Sequence, residues 1–251
     1  MEERHPRPRW DSVALRSPHT QPDKAGRVQW MFNAIAPTYE RVNRLFSVGR
    51  DTYWRRRAVE LAGVGPADLV LDIACGTGDF ARAMAESGPG RVVGCDFAHQ
   101  MLMLALGRGP GGVRYVEADA LNLPFPDRSV TVVSCAFGVR NFQDLDVGLG
   151  EMHRVLAPGG RAVIVEFTRP SNRLLRLVYE FYAGRLMPVL AGSISRDRVG
   201  AYRYLPSSVV SFPDALQMCA RLVGAGFGQA QATPLTCGVV TVYVARKTSD
   251  G

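Results

Sequence analysis

The sequence predicts an α/β fold: a mostly parallel, twisted sheet with helices on both faces and one antiparallel strand. Three observations predict it. Apolar runs of strand length, such as LVLD at 69–72, RVVGCD at 91–96 and RAVIVEF at 161–167, alternate with stretches whose apolar residues recur every three or four positions. Val130 to Cys135 is continuously apolar, as expected of a strand buried on both faces. Between the last two runs, Gly228 to Pro234 and Val239 to Arg246, the link through TCG is too short for a parallel crossover, so one antiparallel strand ends an otherwise parallel sheet.

The chain has 251 residues and 47% hydrophobic content, which suits one domain with an ample core. Residues 1–26 are rich in Pro, Arg, Ser and His without periodicity and read as a disordered tail ahead of a domain over 27–251. Val28, Met31, Phe32 and Ile35 share a helical face, Pro37 interrupts, and Tyr39 opens a second helical pattern through Phe46. A helix over Thr52 to Ala62 turns Trp54, Ala58 and Leu61 inward, and its Arg55–Arg56–Arg57 run reads as a solvated face. Leu69 to Asp72 is the first strand, and FARAMA, with Phe80 and Met84 one turn apart, is the next helix. RVVGCD, a helix over Met101 to Leu106, and VRYVEAD ending in Asp119 follow. Leu145, Leu149, Met152 and Leu156 mark an amphipathic helix stopped by Pro158–Gly159–Gly160, and a last helix covers Pro213 to Ala225.

The chemistry concentrates where the first strand meets its helix. Gly76 and Gly78 let backbone approach a ligand, and the helix start offers free N–H groups to an anion. The spacing is not that of a dinucleotide fingerprint, and Asp72 sits where pyrophosphate would come close, so a cationic ligand fits better. S-adenosyl-L-methionine (SAM), with its ammonium, sulfonium and carboxylate, is such a ligand. Asp72 could also be a simple turn cap. Asp96 lies 24 residues beyond Asp72, near the spacing at which nucleotide folds place a carboxylate on ribose hydroxyls. Asp119, a third acid at a strand end, is the candidate for an adenine amino group, although any one of the three could cap a helix.

The segment 169–212 breaks the alternating rhythm. Leu174, Leu175, Val178, Phe181, Tyr182, Leu186, Val189 and Leu190 form a broad apolar stripe, and 169–203 holds seven arginines against Glu180 and Asp197, most of the formal net charge of +7. This is a lid insertion suited to an anionic membrane surface or a greasy substrate; the plainer alternative is a packed insertion with solvated arginines. No stretch is long and apolar enough to span a bilayer and no signal peptide is present, which places the chain in the cytoplasm, with peripheral contact at the inner face of the membrane. Five cysteines without a C-x-x-C argue against a disulfide framework or a metal site.

These residues closely resemble the ubiquinone and menaquinone biosynthesis C-methyltransferases, a Rossmann-like class I SAM-dependent family. The shared stretches include FNAIAPTYE, DIACGTGDF, GCDFAHQML, ADALNLPFPD, FGVRNF, APGG, VEFTRP and AYRYLPSSV, from about Val28 to Arg246. DIACGTGD and APGG occur in many methyltransferases; FGVRN, FNAIAPTYE and AYRYLPSSV are far more particular. The resemblance implies methyl transfer from SAM to a ring carbon of a polyprenyl quinol, most of all demethylmenaquinol. It assigns Asp72, Ala74, Gly76, Thr77 and Gly78 to the cofactor turn, Asp96 and Phe97 to the ribose side, and Asp119 with Ala120 to the adenine. It puts Arg140, Asn141 and Tyr39 on the substrate side, as the catalytic candidates.

A quinol carbon becomes nucleophilic when the adjacent hydroxyl loses its proton, so the site must hold reactants close, exclude water and assist proton loss. None of the four histidines is placed for that: His5 and His19 lie in the tail, His99 on the cofactor side and His153 mid-helix. Arg140 is a poor proton acceptor but can stabilise a developing quinolate. Asn141 is equally readable as the N-cap of the following helix. A methyltransferase acting on another small apolar metabolite would keep every cofactor residue. A nucleic-acid partner is not expected, since no N-P-P-Y type motif is present and the basic excess has no stacking platforms beside it. A homodimer stays open.

Overall fold

The computed structural model describes residues 10–109, 111–170, 172–181 and 200–249. Its helices enter through α1 (Lys24–Ile35), α2 (Tyr39–Phe46) and α3 (Asp51–Ala62), with Pro37 in a 3-10 turn between the first two. The alternating part follows: β1 (Leu69–Ile73), α4 (Asp79–Glu86), β2 (Arg91–Asp96), α5 (His99–Gly107), β3 (Val113–Glu117), β4 (Val130–Ala136), α6 (Leu145–Val155) and β5 (Leu156–Phe167). The chain closes with α7 (Arg173–Phe181), α8 (Ala201–Val210), α9 (Ala215–Gly224), β6 (Gln229–Leu235) and β7 (Val240–Arg246).

The seven strands run in the order β3-β2-β1-β4-β5-β7-β6. β1 to β5 pair in parallel, and β7 is antiparallel to both of its neighbours. The antiparallel strand is therefore last in the chain yet lies inside the sheet, with β6 at the edge. Composition explains the choice. β7 buries Val240, Val242 and Tyr243, whereas β6 carries Pro234, which has no N–H to give a ladder and suits an edge. The strand order reverses between β1 and β4, and ligands of such sheets bind outside the carboxyl ends at that point.

Period-two alternation divides the core. Leu71, Ile73, Val133 and Ile164 face Leu149, Met152, Met218 and Leu222 of α6 and α9. Val70, Val92, Val132 and Val163 face Trp54, Ala58, Phe80 and Met84 of α3 and α4. Helix α6 stops at Val155, one residue before the expected end, because Leu156 already pairs with Val130; the register then breaks, and Arg161 is the next partner, of Val132. VRYVEAD ends as a strand at Glu117, so Asp119 stands just past it in a bridge with Asn122.

Residues 1–26 do not behave as one disordered tail. Residues 1–9, including His5, lie outside the described residues, but from Trp10 onward the segment is packed. Trp10 is 1% exposed and stacks on Tyr204 of α8 with ring centroids 4.2 Å apart. The sequence hid this because a single aromatic anchor between Pro- and Arg-rich residues makes no periodic pattern. Of the lid at 169–212, α7 and α8 are seen; 182–199, with Tyr182, Arg185, Leu186, Val189 and Leu190, lies outside the described residues. Replacing Trp10 by Ala should lower stability by about 3 kcal/mol, the low end for a buried tryptophan. Urea unfolding checks this, and an unchanged midpoint would show that the segment is not packed.

Candidate active site

The β1 turn is built on two glycines with different duties. Gly78 has φ +80 and caps α4; a Cβ there would meet the Tyr115 hydroxyl at 2.3 Å, so no larger residue fits. Gly76 has φ +56 and nothing within 4 Å of where a Cβ would stand, so its open side faces space kept for a ligand. Asp96, at the end of β2, ties this turn down: its Oδ2 accepts from Gly76 N at 2.8 Å and its Oδ1 from Ala98 N at 2.8 Å. The carboxylate is thus part of the frame as well as of the wall.

A cleft of about 670 Å³ opens above these strand ends. Ala74, Gly76, Asp96, Phe97, Asp119 and Ala120 line it, bringing together most of the cofactor residues named from the sequence. Burial pushes the Asp96 carboxyl up to about 6, against the backbone N–H groups that favour its charged form. His99 heads α5 with its Nδ1 2.8 Å from Glu117 Oε2 on the surface, and does not line the cleft.

Three of the named residues are not on that wall. Thr77 is buried and Gly78 holds the helix start. Asp72 shares its strand face with Val70, so alternation turns it under the elbow toward α4. There it is fully buried, its Oδ1 accepts from Ser134 Oγ at 2.6 Å, and its Oδ2 has no hydrogen-bond partner. Burial pushes this carboxyl up to about 7, opposed by the Ser134 hydroxyl and the Arg55 guanidinium.

A second cavity, about 690 Å³, adjoins the first and shares Phe32, Tyr39 and Phe137 with it. Its walls are aromatic. Trp54, Phe137 and Phe167 contact one another at ring distances of 4.6 to 6.0 Å. Arg140 lines this chamber while buried. Its Nη1 donates to Glu166 Oε1 at 2.7 Å and to Phe137 O at 2.6 Å, its backbone N reaches Glu166 Oε2 at 3.3 Å, and its Nε has no partner. Burial alone would lower the guanidinium's pKa, yet Glu166 holds it above its ordinary value, so it stays charged.

Asn141 is not a helix cap. Asp144 caps α6, accepting from Asp146 N and Val147 N. Asn141 instead donates to Phe137 O at 3.2 Å, accepts from Tyr204 Oη at 3.0 Å, and borders the first cleft. Tyr39 stands between the cavities, and burial pushes its phenol up despite Asn43 and two nearby arginines, so the hydroxyl keeps its proton.

Glu166 and Tyr204 are the residues that the sequence reading passed over. Glu166 was legible as one more acid at a strand end, in VEFTRP; Tyr204 gave no local signal beyond its motif. Arg55, read as solvated, lines the chamber and pairs with Asp51 at 2.6 Å. His19 is not idle in a tail: its Nε2 lies 2.9 Å from Ser208 O and its Nδ1 3.3 Å from Lys24 Nζ.

Strand order 3-2-1-4-5-7-6, a glycine elbow open at Gly76 and carboxylates on the next two strand ends define a class I SAM-dependent methyltransferase. The solved structures agree on the fold: a possible histamine N-methyltransferase from Thermotoga maritima superposes with a TM-score of 0.60 at 18% identity, over 87% of this chain and 99% of that one. Residues 20–247 match the ubiE/COQ5 methyltransferase family, and the chain belongs to it. A demethylmenaquinone methyltransferase of Thermus thermophilus is 48% identical over 218 residues, covering 85% of this chain and 98% of the relative. A ubiquinone/menaquinone biosynthesis C-methyltransferase of Geobacter sulfurreducens is 42% identical over 234 residues, 90% of each. SAM is the cofactor of this class, and the open Gly76 face beside the Asp96 and Asp119 carboxylates on one cleft fits a ligand that brings hydrogen-bond donors.

Asp72 also sets a pH dependence. Its carboxyl titrates near 3.8 unfolded and about 7 folded, so the folded state holds the extra proton between those values and stability falls as pH rises through them. Thermal unfolding from pH 4 to 8 should therefore show a downward slope that Asp72→Asn flattens. Parallel slopes in the two proteins would assign the proton elsewhere.

Proposed function

We propose that this protein methylates a ring carbon of a polyprenylated quinol, demethylmenaquinol above all, in menaquinone or ubiquinone biosynthesis. The single observation that carries this reading is the aromatic chamber with one buried guanidinium, Arg140, in its wall, sharing Phe32, Tyr39 and Phe137 with the acid-lined cleft. The names of the relatives favour the same acceptor.

In this reading SAM supplies a methyl group on a positively charged sulfur. Asp96 and Asp119 would accept hydrogen bonds from the sugar and the base, Ala74 and Gly76 would give backbone room, and Phe97 and Ala120 would flank the base, all six lining the cleft. The chamber takes the quinol, its aromatic walls excluding water. The ring carbon would bond the methyl, the electron pair of the broken carbon–sulfur bond would stay with sulfur, and the ring hydrogen would pass as a proton to water while the oxygen regains a proton, so that one proton is released overall. Negative charge grows on the adjacent oxygen as the hydroxyl proton departs. Arg140 faces that oxygen as a fixed cation, Glu166 sets its angle, Tyr39 holds its hydroxyl at the shared wall, and Asn141 borders the cofactor cleft. An oxidised quinone ring is electron-poor and cannot displace the methyl, so the acceptor is the reduced form. The lid meets an anionic membrane: on α7, Leu174, Leu175 and Leu177 are exposed beside Arg173.

Arg140→Ala should lower turnover by a factor of about 10² to 10³ with little change in SAM affinity, the scale of a lost oxyanion donor. Arg140→Lys keeps a charge opposite Glu166 and should recover only part of the rate, because an ammonium lacks the planar fork. Glu166→Gln should slow turnover more than it alters KM. The assay is methylation of a short-chain demethylmenaquinone analogue with and without dithionite. Equal methylation of the oxidised form, or full activity in Arg140→Ala, would overturn the reading.

A further inference from the structure

The aromatic chamber ends at a charged corner of the surface. Asn43, Asp51 and Arg55 line the chamber, and the same three residues line an open groove that continues over Arg41, Arg44 and Arg56. Chamber and groove meet at Asn43, Asp51 and Arg55, on the two helices that the turn 47–50 joins, and Ser47 of that turn lines the chamber.

That turn carries a conformation which packing does not explain. Val48 has φ +50, a region that a β-branched residue enters only under strain, and its side chain is 77% exposed. The residue thus accepts strain with no burial in return, and such outliers cluster where a partner binds. Tyr53, one turn into α3, is 46% exposed, and the Arg50 guanidinium sits 5.5 Å from its ring centre. An exposed apolar side chain and a half-exposed phenol on one turn and the helix after it are the kinds of side chain that settle at a lipid interface.

The charges around them are unbalanced. Residues 39–62 hold six arginines against Glu40, Asp51 and Glu60. All three acids are engaged, Glu40 by Arg108, Asp51 by Arg55, and Glu60 by Arg56 and Arg57. Arg41, Arg44 and Arg50 are exposed, and none has a carboxylate partner among the described residues. Arginines on a helix surface are commonly just solvated; here Arg41 and Arg44 line the groove that meets the chamber, and Arg50 follows Val48 in the same turn.

We propose that the α2–α3 corner, Val48 and Tyr53 with Arg41, Arg44 and Arg50, docks on an anionic phospholipid leaflet, and that the acceptor enters the chamber there. This rests on the quinol reading above, since a polyprenyl chain stays in the bilayer and its head group reaches the chamber only through a mouth held against that surface. It places the principal lipid contact apart from α7. The arginines meet the phosphates, and Val48 enters the acyl boundary, where its exposure is removed.

The test is flotation of the whole protein with vesicles of phosphatidylcholine alone or mixed equally with phosphatidylglycerol. Wild type should float with the anionic vesicles and much less with the neutral ones. Arg41→Glu with Arg44→Glu should weaken anionic binding by about fivefold or more for each arginine. Val48→Gly removes the tip and the strain together, so it should raise the melting temperature yet still weaken binding; it serves where the charge variant does not fold. Turnover of a water-soluble short-chain quinol should be unchanged in both variants, while turnover of a long-chain quinol in vesicles should fall. Unchanged flotation of the corner variants, equal binding to neutral vesicles, or loss of binding only in Leu177→Asp on α7 would overturn the proposal. Failure of wild type to methylate the short-chain quinol would instead remove the quinol reading, and flotation would still decide whether the corner binds lipid.

Discussion

A guanidinium taken out of water needs a carboxylate, and the pairing of Arg140 with Glu166 is the constraint on which the rest of this site depends. Both side chains are buried. Either alone would cost several kcal/mol of desolvation; together they are tolerable only with close geometry and further hydrogen bonds. Those come from backbone. Phe137 O accepts from Arg140, and Glu166 accepts from the N–H groups of Arg140 and Phe167. The pair therefore clamps the loop after β4 onto the end of β5. The same loop carries Phe137, Asn141 and Phe142 to the wall of the neighbouring cleft.

The two cavities divide the work by polarity. The cleft over β1, β2 and β3 carries the Asp96 and Asp119 carboxylates, and the chamber under α1, α3 and α8 carries the Arg140 guanidinium among Trp54, Phe137 and Phe167. Tyr39 and Phe137 belong to both. A polar, cationic ligand on one side and a flat apolar one on the other would meet across those two rings, which is the arrangement a two-substrate transfer needs.

The N-terminal segment completes the enclosure. Ala25 N donates to Gln143 Oε1 at 2.8 Å, Gln29 Nε2 to Phe97 O at 2.7 Å, and Gln100 N to Asn33 Oδ1 at 2.9 Å. α1 is thus laced across the cleft by side-chain bonds to loops far away in sequence. Lys24, buried and donating to Phe142 O, has its pKa pushed down to about 8 by burial and by Arg140. Its position near Arg140 shows how tightly positive charge is gathered behind the substrate wall.

The sequence by itself determined the alternation of strands and helices, the antiparallel end, the glycine elbow and the acids after it, because periodicity, turn chemistry and strand-end placement are local properties. The family resemblance put Arg140 on the substrate side, without a reason for an arginine to be buried there. Only the tertiary structure supplied that reason, since Glu166 lies 26 residues away and meets Arg140 through strand pairing. The same holds for Asp72. Its strand-end position was plain in the sequence, but the direction of its side chain followed from which face of β1 packs on α4. Trp10 seated on Tyr204 and Arg55 turned from solvent to chamber likewise rest on contacts between distant segments, whereas the Asp144 cap of α6 is local. Local sequence carries propensity and spacing; which buried polar group finds which partner is settled when the sheet and its covering helices close.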